Sequence, residues 1–174
     1  CPDFWHIPSD AEFMELEMYL GMSEEDANST GQDRGTNEGS KLADYRDLWD
    51  DGDLENNSEF GTSGFTGLPA GCWFCDFNIF TGMTESTTFW TSSIGSNDYY
   101  VRLLSWDDSS VAREDERNNR GFSIRCVRDA AAGCTDPEAC NYDEIATVDD
   151  GSCLENDCAA ECGGSAEDDE CGVC

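Results

Sequence analysis

Basic side chains are scarce in this sequence. Its 174 residues include only 9 lysines and arginines against 39 aspartates and glutamates, which gives a formal net charge of −30. Binding to nucleic acid requires clustered lysine and arginine, so this balance excludes nucleic acid as a partner. The same charge excludes an anionic membrane surface. It favours cations, above all Ca²⁺, or neutral polymers such as glycans.

Long apolar runs are missing as well. No stretch approaches the roughly 20 apolar residues that a membrane span needs, which excludes membrane insertion. No signal peptide is visible at the start of the chain. We expect the chain, which runs from Cys1 to Cys174, to be an ordered piece of a longer secreted precursor.

Groups for nucleophilic catalysis are also lacking. His6 is the only imidazole, and it precedes a predicted helix at a packing position. Carboxylates are so abundant that a close pair of them carries no information about acid–base catalysis. We therefore predict that the protein is not an enzyme.

Cysteine, in contrast, is abundant and concentrated near the end of the chain. This density predicts a disulfide framework and an extracellular location, either secreted or at the cell surface. Zinc fits poorly, because there is one histidine and the cysteine spacings do not repeat as paired CxxC units. The count is odd, so at least one cysteine is free or bonded outside the chain. The cysteines predicted to form disulfides are Cys1, Cys72, Cys75, Cys126, Cys134, Cys140, Cys153, Cys158, Cys162, Cys171 and Cys174.

A change of composition near Asp129 predicts two domains, 1–129 and 130–174. The later domain contains no lysine or arginine, and Tyr142 is its only aromatic residue. It cannot bury a conventional core, so disulfides or a metal ion must hold it. We expect it to consist of two short units, 133–153 and 157–174.

The first domain has the pattern of an α+β fold. Ser9 and Glu12 form a capping box that starts a helix predicted from Asp10 to Leu20, with Gly21 as its stop. A second helix is predicted from Asn37 to Ala43. Alternating or β-branched segments predict short antiparallel strands at Phe89–Ser92, Tyr99–Leu104, Ser110–Arg113 and Phe122–Val127.

Four segments of the first domain have a recognisable order and spacing. The opening segment from Cys1 to Phe13 is followed by Gly64-Phe65-Thr66-Gly67-Leu68-Pro69-Ala70-Gly71, Phe89-Trp90-Thr91-Ser92-Ser93 and Gly121-Phe122-Ser123-Ile124-Arg125-Cys126-Val127-Arg128-Asp129. Through these segments about three quarters of the chain resembles the Fibrobacter succinogenes major paralogous domain family.

The resemblance implies a C-type-lectin-like fold, with two helices, a small twisted antiparallel sheet and long loops. It also implies a disulfide between Cys1 and Cys126, which would tie the region of the first helix to the last strand. Formylglycine-generating enzymes share this fold. Their copper-binding cysteine motif does not occur around Cys72 or Cys75.

In the second domain, the segments Gly133–Asp143 and Asp149–Cys153 have specific cysteine spacings. Through them the domain resembles a short cysteine-rich repeat of large secreted microbial proteins. Oxygen ligands are concentrated there, and hard cations need several converging oxygens. We predict a Ca²⁺ site formed by Asp136, Asn141, Asp143, Asp149 and Asp150; the alternative is a solvated acidic loop.

The sequence Cys72-Trp73-Phe74-Cys75 is a CxxC motif. It follows a segment that we interpret as a loop, and no βαβ pattern surrounds it, which disfavours a redox enzyme. We predict an inert local disulfide between the two cysteines. Asn28 and Asn56 begin N-glycosylation sequons in polar loops, so both are predicted glycosylation sites.

These features favour a non-enzymatic extracellular structural protein. It would be a subunit of a surface filament, appendage or matrix, with other copies as its neighbours. One alternative is a carbohydrate-binding adhesin whose loops between Trp49 and Tyr100 bind glycans, with Trp73, Trp90 or Trp106 stacking on sugar rings. The triplets through which C-type lectins bind sugars are absent. A weaker alternative is an enzyme of the formylglycine-generating type.

Overall fold

The computed structural model describes residues 1–74, 77–96 and 98–167. The chain folds as two units, Cys1–Val127 and Arg128–Cys174, whose boundary lies two residues before the predicted one. Within the described residues, no helix has both the length and the apolar character that a membrane crossing requires.

Four short α-helices and one 3₁₀-helix fill the first half of the first unit. The first begins with the predicted capping box of Ser9 and Glu12 and ends at Tyr19, one residue before the predicted end. Gly21 follows with a φ of +117°, a conformation that favours glycine. The helices are α1 (Asp10–Tyr19), α2 (Glu24–Asn28), α3 (Glu38–Leu42), the 3₁₀-helix (Arg46–Leu48) and α4 (Asp53–Asn56).

The strands form one large sheet and two short strand pairs. The sheet order is β3-β2-β4-β5-β6, with β7 also paired to β2; β1 pairs with β8, and β9 with β10. The strands are β1 (Trp5–His6), β2 (Ala70–Phe74), β3 (Ile79–Met83), β4 (Ser86–Ile94), β5 (Tyr99–Ser105), β6 (Asp108–Glu116), β7 (Arg120–Gly121), β8 (Val127–Arg128), β9 (Ala132–Gly133) and β10 (Val148–Asp149).

Three of the four predicted strands are present, and each is longer than predicted. The prediction of a strand at Phe122–Val127 is wrong, because residues 122–126 make only an isolated bridge between Ser123 and Phe89. The interpretation of the segment before Cys72 as a loop is also wrong, because Ala70–Phe74 is β2. The glycine and proline residues of this region led to the prediction of a loop, because both residue types are typical of turns.

The core of the first unit lies between the helices and the central strands. Phe13 of α1, Leu42 of α3 and Leu54 of α4 pack there with Leu104 of β5 and Val111 of β6. These side chains are almost fully buried. Helices therefore cover one face of a largely antiparallel sheet, which is the predicted α+β class.

Disulfides crosslink the second unit. One joins Cys134 to Cys153 and another joins Cys140 to Cys162, and Cys158 is also disulfide-bonded. The Cys140–Cys162 bond links the two predicted short units, 133–153 and 157–174, to each other. The larger apolar side chains of this unit are exposed, as expected for a segment without a conventional core; they are Tyr142, Ile145, Val148 and Leu154.

Candidate interaction surface

A β-hairpin formed by β2 and β3 lies at the edge of the large sheet. Its register places Trp73 opposite Phe80 and Phe74 opposite Ile79. Directly opposed residues share a face of the ladder, so Trp73 and Phe80 lie side by side on one face. Phe74 and Ile79 occupy the other face. The hairpin therefore carries large apolar side chains on both of its faces.

Glycines flank the Trp73–Phe80 pair. Gly71 has a φ of +63°, and a Cβ there would lie 2.4 Å from the carbonyl oxygen of Thr81. A Cβ on Gly121 would lie 3.0 Å from the Cβ of Trp73. A side chain at either position would therefore crowd the hairpin backbone or the base of the Trp73 side chain, which favours glycine at both.

Five apolar side chains of this hairpin are exposed, and we call them the hairpin surface. Phe77 is 72% exposed, Met83 62% and Phe80 54%. Exposed apolar side chains that are grouped in this way mark interaction sites, whereas single ones need no explanation. The members of the hairpin surface are Trp73, Phe77, Ile79, Phe80 and Met83.

Charge is nearly absent from the segment that contains the hairpin surface. Residues 60–84 include a single charged residue, Asp76, in a chain whose net charge is −30. This contrast can be found in the sequence by looking for the segment with the fewest charged residues. In the structure a charge from outside the segment lies beside the hairpin, because the guanidinium of Arg120 is 4.2 Å from the centre of the Phe74 ring.

The hairpin also contains the most accessible of the three tryptophans considered for sugar stacking. Trp73 is exposed. Trp90 is half-buried against Tyr99 and Phe122, and Trp106 is half-buried against the core. Of the three, Trp73 is therefore the tryptophan most open to a ligand from solvent.

A buried ionic network, which the sequence did not predict, supports the opposite end of the sheet. The buried face of α1 is formed by Asp10, Phe13 and Glu17, which lie at positions i, i+3 and i+7 of the helix. Three arginines face them; these are Arg34, Arg102 of β5 and Arg113 of β6.

Arg102 links the two carboxylates of this network. Its Nε donates to Glu17 Oε1 at 2.5 Å, and its Nη1 donates to Asp10 Oδ1 at 2.8 Å. Arg113 Nη2 donates to Asp10 Oδ2 at 2.6 Å, and Arg34 Nη2 donates to Glu17 Oε2 at 2.8 Å. Each carboxylate is thus held by two arginines, which compensates for the loss of its hydration.

The remaining arginine N–H groups bind carbonyl oxygens at the end of α2. Arg34 donates to the carbonyls of Asp26 and Ala27, and Arg113 donates to those of Asn28 and Ser29. These carbonyls lie in the last turn of α2 and at its C-cap, where positive charge is favourable. The network therefore anchors α2 as well as α1 to the sheet.

Asp10 makes the stability of the first unit sensitive to acid. Burial alone would raise the pKa of its carboxyl, but hydrogen bonds and charge from Arg113 and Arg102 outweigh burial and lower it. Because the pKa of Asp10 is lower in the folded protein than in the unfolded chain, the ionised carboxylate stabilises the fold. This stabilisation is complete at pH values above the unfolded aspartate pKa of about 3.9. This contribution disappears as the pH falls below that value and through the folded pKa.

We expect Asp10→Asn to lower the free energy of unfolding at pH 6 and to flatten its decline between roughly pH 4 and pH 2. Urea unfolding at several pH values measures both effects. Glu15→Gln, at an exposed position of the same helix, is the matched control and should keep the wild-type acid dependence. An unchanged pH slope in Asp10→Asn would contradict this assignment.

The cysteines of the first unit agree only in part with the sequence predictions. Cys1 and Cys126 form the disulfide that the family resemblance implied, with their Cα atoms 5.7 Å apart. Cys72 is a free thiol, which corrects the predicted Cys72–Cys75 disulfide. Cys75 lies outside the described residues, as do Cys171 and Cys174.

The geometry of β2 explains why Cys72 is free. A disulfide between residues i and i+3 needs a turn that brings the two Cα atoms within about 7 Å. Residues Cys72 to Phe74 are extended instead. Burial raises the pKa of the Cys72 thiol, with Arg120 lowering it and Glu116 raising it to smaller extents. The thiol is therefore poorly ionised at neutral pH, as expected for an unreactive cysteine.

The predicted calcium ligands form local turns in the structure. Carboxylate oxygens of Asp136, Asp143, Asp149 and Asp150 each accept a hydrogen bond from the backbone N–H two residues further on. Asn141 Oδ1 accepts from the N–H of Leu154. Within the described part of the chain, no three His, Cys, Asp or Glu side chains converge in a group that could hold a metal ion. Calcium binding stays a prediction.

Both predicted glycosylation sites are exposed. Asn28 is the last residue of α2 and Asn56 the last residue of α4, rather than loop residues as predicted. The Nδ2 of Asn28 donates to the carbonyl of Glu24, and that of Asn56 donates to Asp51. A glycan on either residue would leave its Nδ2 with a single N–H to make this bond. Glycosylation stays a prediction.

The structure is that of a disulfide-braced α+β protein with an exposed apolar hairpin on an acidic chain. Residues 1–128 match the Fibrobacter succinogenes major domain, and the protein belongs to this family. No curated protein and no solved structure is significantly similar to the chain.

Proposed function

We propose that this protein is a non-enzymatic extracellular structural protein that assembles with other copies of itself through the hairpin surface. The observation that carries the proposal is the contrast between that surface and the rest of the chain. Its exposed members are large apolar side chains within a segment with one charged residue. Their burial in an assembly would be favourable, because transfer of apolar area out of water drives association.

Electrostatics restrict where two copies can meet. A net charge of −30 on each copy repels another copy over most approaches. Contact through the nearly uncharged hairpin surface keeps most of the carboxylates apart. The repulsion that is left is screened by salt or by Ca²⁺, so we expect assembly to strengthen in a salty, calcium-rich medium.

The proposal also includes an extracellular location and a C-type-lectin-like fold. Disulfides in both units suit an oxidising extracellular compartment. A C-type-lectin-like fold is supported by the helices on one face of the sheet and by the Cys1–Cys126 bond. In this interpretation the sheet and its bond are a scaffold, and the crosslinked second unit is a module that serves the assembly.

Phe80→Glu should weaken self-association roughly 10- to 100-fold, because one buried phenylalanine contributes about 1.5–3 kcal/mol. Sedimentation velocity over a concentration series, with and without Ca²⁺, measures the change, and electron microscopy shows the form of the assembly. Phe4→Glu is the matched control, since Phe4 is also exposed but lies outside the hairpin. A wild-type protein that stays monomeric at high concentration and high calcium would refute the proposal.

A carbohydrate-binding adhesin is the second candidate, and the Trp73–Phe80 pair favours it. Two adjacent aromatic rings bordered by glycine main chain suit the flat apolar face of a neutral sugar ring. A glycan array separates the candidates. Selective glycan binding that Trp73→Ala abolishes, without any change in self-association, would favour the adhesin.

A further inference from the structure

β3 has an open hydrogen-bonding edge. It is the terminal strand of the sheet, and no strand among the described residues pairs with its outer side. Soluble proteins usually protect such an edge with lysine, proline or an inward-pointing charge. The β3 sequence Ile79-Phe80-Thr81-Gly82-Met83 contains none of these. Four of its five residues are also exposed, so the strand is accessible on both faces and along its edge.

We propose that β3 pairs with β3 of a second copy, antiparallel and across a two-fold axis at Thr81, so that two hairpins form one continuous four-stranded ladder. This inference rests on the proposed function and specifies its partner and geometry. A two-fold interface must be self-complementary. Whenever one residue of the first copy contacts a given residue of the second copy, the same contact occurs with the two copies exchanged. The β3 sequence meets this requirement.

The side chains of β3 match across such an axis. Ile79 would face Met83 of the second copy, and Phe80 would face Gly82. Isoleucine and methionine are both apolar, and the missing side chain of Gly82 gives the Phe80 ring room. Directly opposed residues share a face, so both Phe80 rings would join the two Trp73 rings on one face.

The absence of charged residues from β3 favours a second copy of this chain, rather than a different protein, as the partner at this edge. An antiparallel β3 pair brings no charged side chain of either strand to the contact, although each copy carries −30. A cationic partner would be attracted to the acidic surface elsewhere and would gain nothing at this neutral edge. A second β3 is both apolar and uncharged, which is the complement that this edge requires.

Disulfide trapping tests the register. Opposed residues in an antiparallel pair have Cα atoms about 4.5–5.5 Å apart, within the range of a disulfide. Thr81 is opposite Cys72 within the hairpin, so the test uses the double variant Cys72→Ser, Thr81→Cys to prevent an internal bond. Thr81 is exposed, so this exchange should not disturb folding.

Under mild oxidation of the whole chain, we expect this variant to form a covalent dimer at least tenfold faster than Cys72→Ser, Thr62→Cys. The control places its cysteine at an exposed position outside the hairpin and keeps all other cysteines. Non-reducing electrophoresis followed by peptide mapping must show that the cysteines introduced at position 81 of the two copies are bonded to each other. Equal rates would overturn the β3 pairing.

A second variant tests the same edge without new cysteines. Thr81→Glu would place two carboxylates opposite each other across the axis, whereas Ser165→Glu adds the same charge at an exposed position of the second unit. We expect the first variant to weaken dimer formation at least tenfold more than the second. If Phe80→Glu weakens assembly but Thr81→Glu and the trapping variant have no effect, assembly through the hairpin surface stands and edge pairing is wrong.

Discussion

Arg102→Met is expected to lower the free energy of unfolding of the first unit by about 3–5 kcal/mol. The guanidinium of Arg102 bridges Asp10 and Glu17, and its side chain is 1% exposed. Methionine fills a similar volume but donates no hydrogen bond. Both carboxylates would stay buried with one arginine partner fewer, and an uncompensated buried charge is far more costly than a lost surface pair.

Urea unfolding at pH 7 measures this loss. Arg117→Met makes the same chemical change at an exposed arginine, and its effect should be within about 0.5 kcal/mol. Arg102→Lys should fall between the two, because a single ammonium cannot bridge both carboxylates as a planar guanidinium does. A loss below about 1 kcal/mol in Arg102→Met would show that Arg34 and Arg113 hold the two carboxylates without it.

The ionic network shows where sequence patterns give incomplete information. The capping box predicts where α1 begins, and helical spacing predicts a buried face formed by Phe13, Leu16 and Leu20. Phe13 is buried as predicted, and Leu16 and Leu20 are partly buried against the core. The other buried residues of the helix, however, are the charged Asp10 and Glu17. A periodicity analysis treats aspartate and glutamate as solvent-facing, so it cannot find a face that charged residues share with the core.

One signal of the network is nevertheless present in the sequence. Arg102 lies between Val101 and Leu103 in a strand, within a chain that has only 9 basic residues. An arginine in the middle of an apolar strand either faces solvent or needs a buried acidic partner. Its partners come from a helix more than 80 residues earlier. Nothing local in the sequence connects the two segments.

The hairpin surface was hidden for a different reason. Strands β4 to β6 are rich in β-branched and aromatic residues, and the sequence predicted them. β2 contains Gly71 and β3 contains Gly82, and a glycine within a sequence segment is usually interpreted as a sign of a turn. Their exposed side chains also have no polar alternation, because neither face of β3 is covered. An edge strand exposed on both faces therefore lacks the alternation by which a half-buried strand is identified from sequence.

Replacing both Cys1 and Cys126 with serine is expected to lower the free energy of unfolding of the first unit by roughly 5 kcal/mol. The two cysteines are separated by 125 residues, so the bond closes nearly the entire unit into one loop. The effect acts mainly on the unfolded chain, whose freedom the crosslink restricts. A typical domain is stable by only about 5–15 kcal/mol, so the variant would be close to unfolding at ordinary temperature.

Tryptophan fluorescence during urea unfolding reports on this unit alone, because all 5 tryptophans lie in the first unit. Cys72→Ser is the matched control: it makes the same exchange at a free thiol of the same unit and should change stability by less than about 1 kcal/mol. Wild-type protein treated with a reducing agent should match the double variant, since both lack the crosslink. If the double variant unfolds within about 1 kcal/mol of the wild type, the helices, the sheet and the ionic network hold the unit together without the bond between its ends.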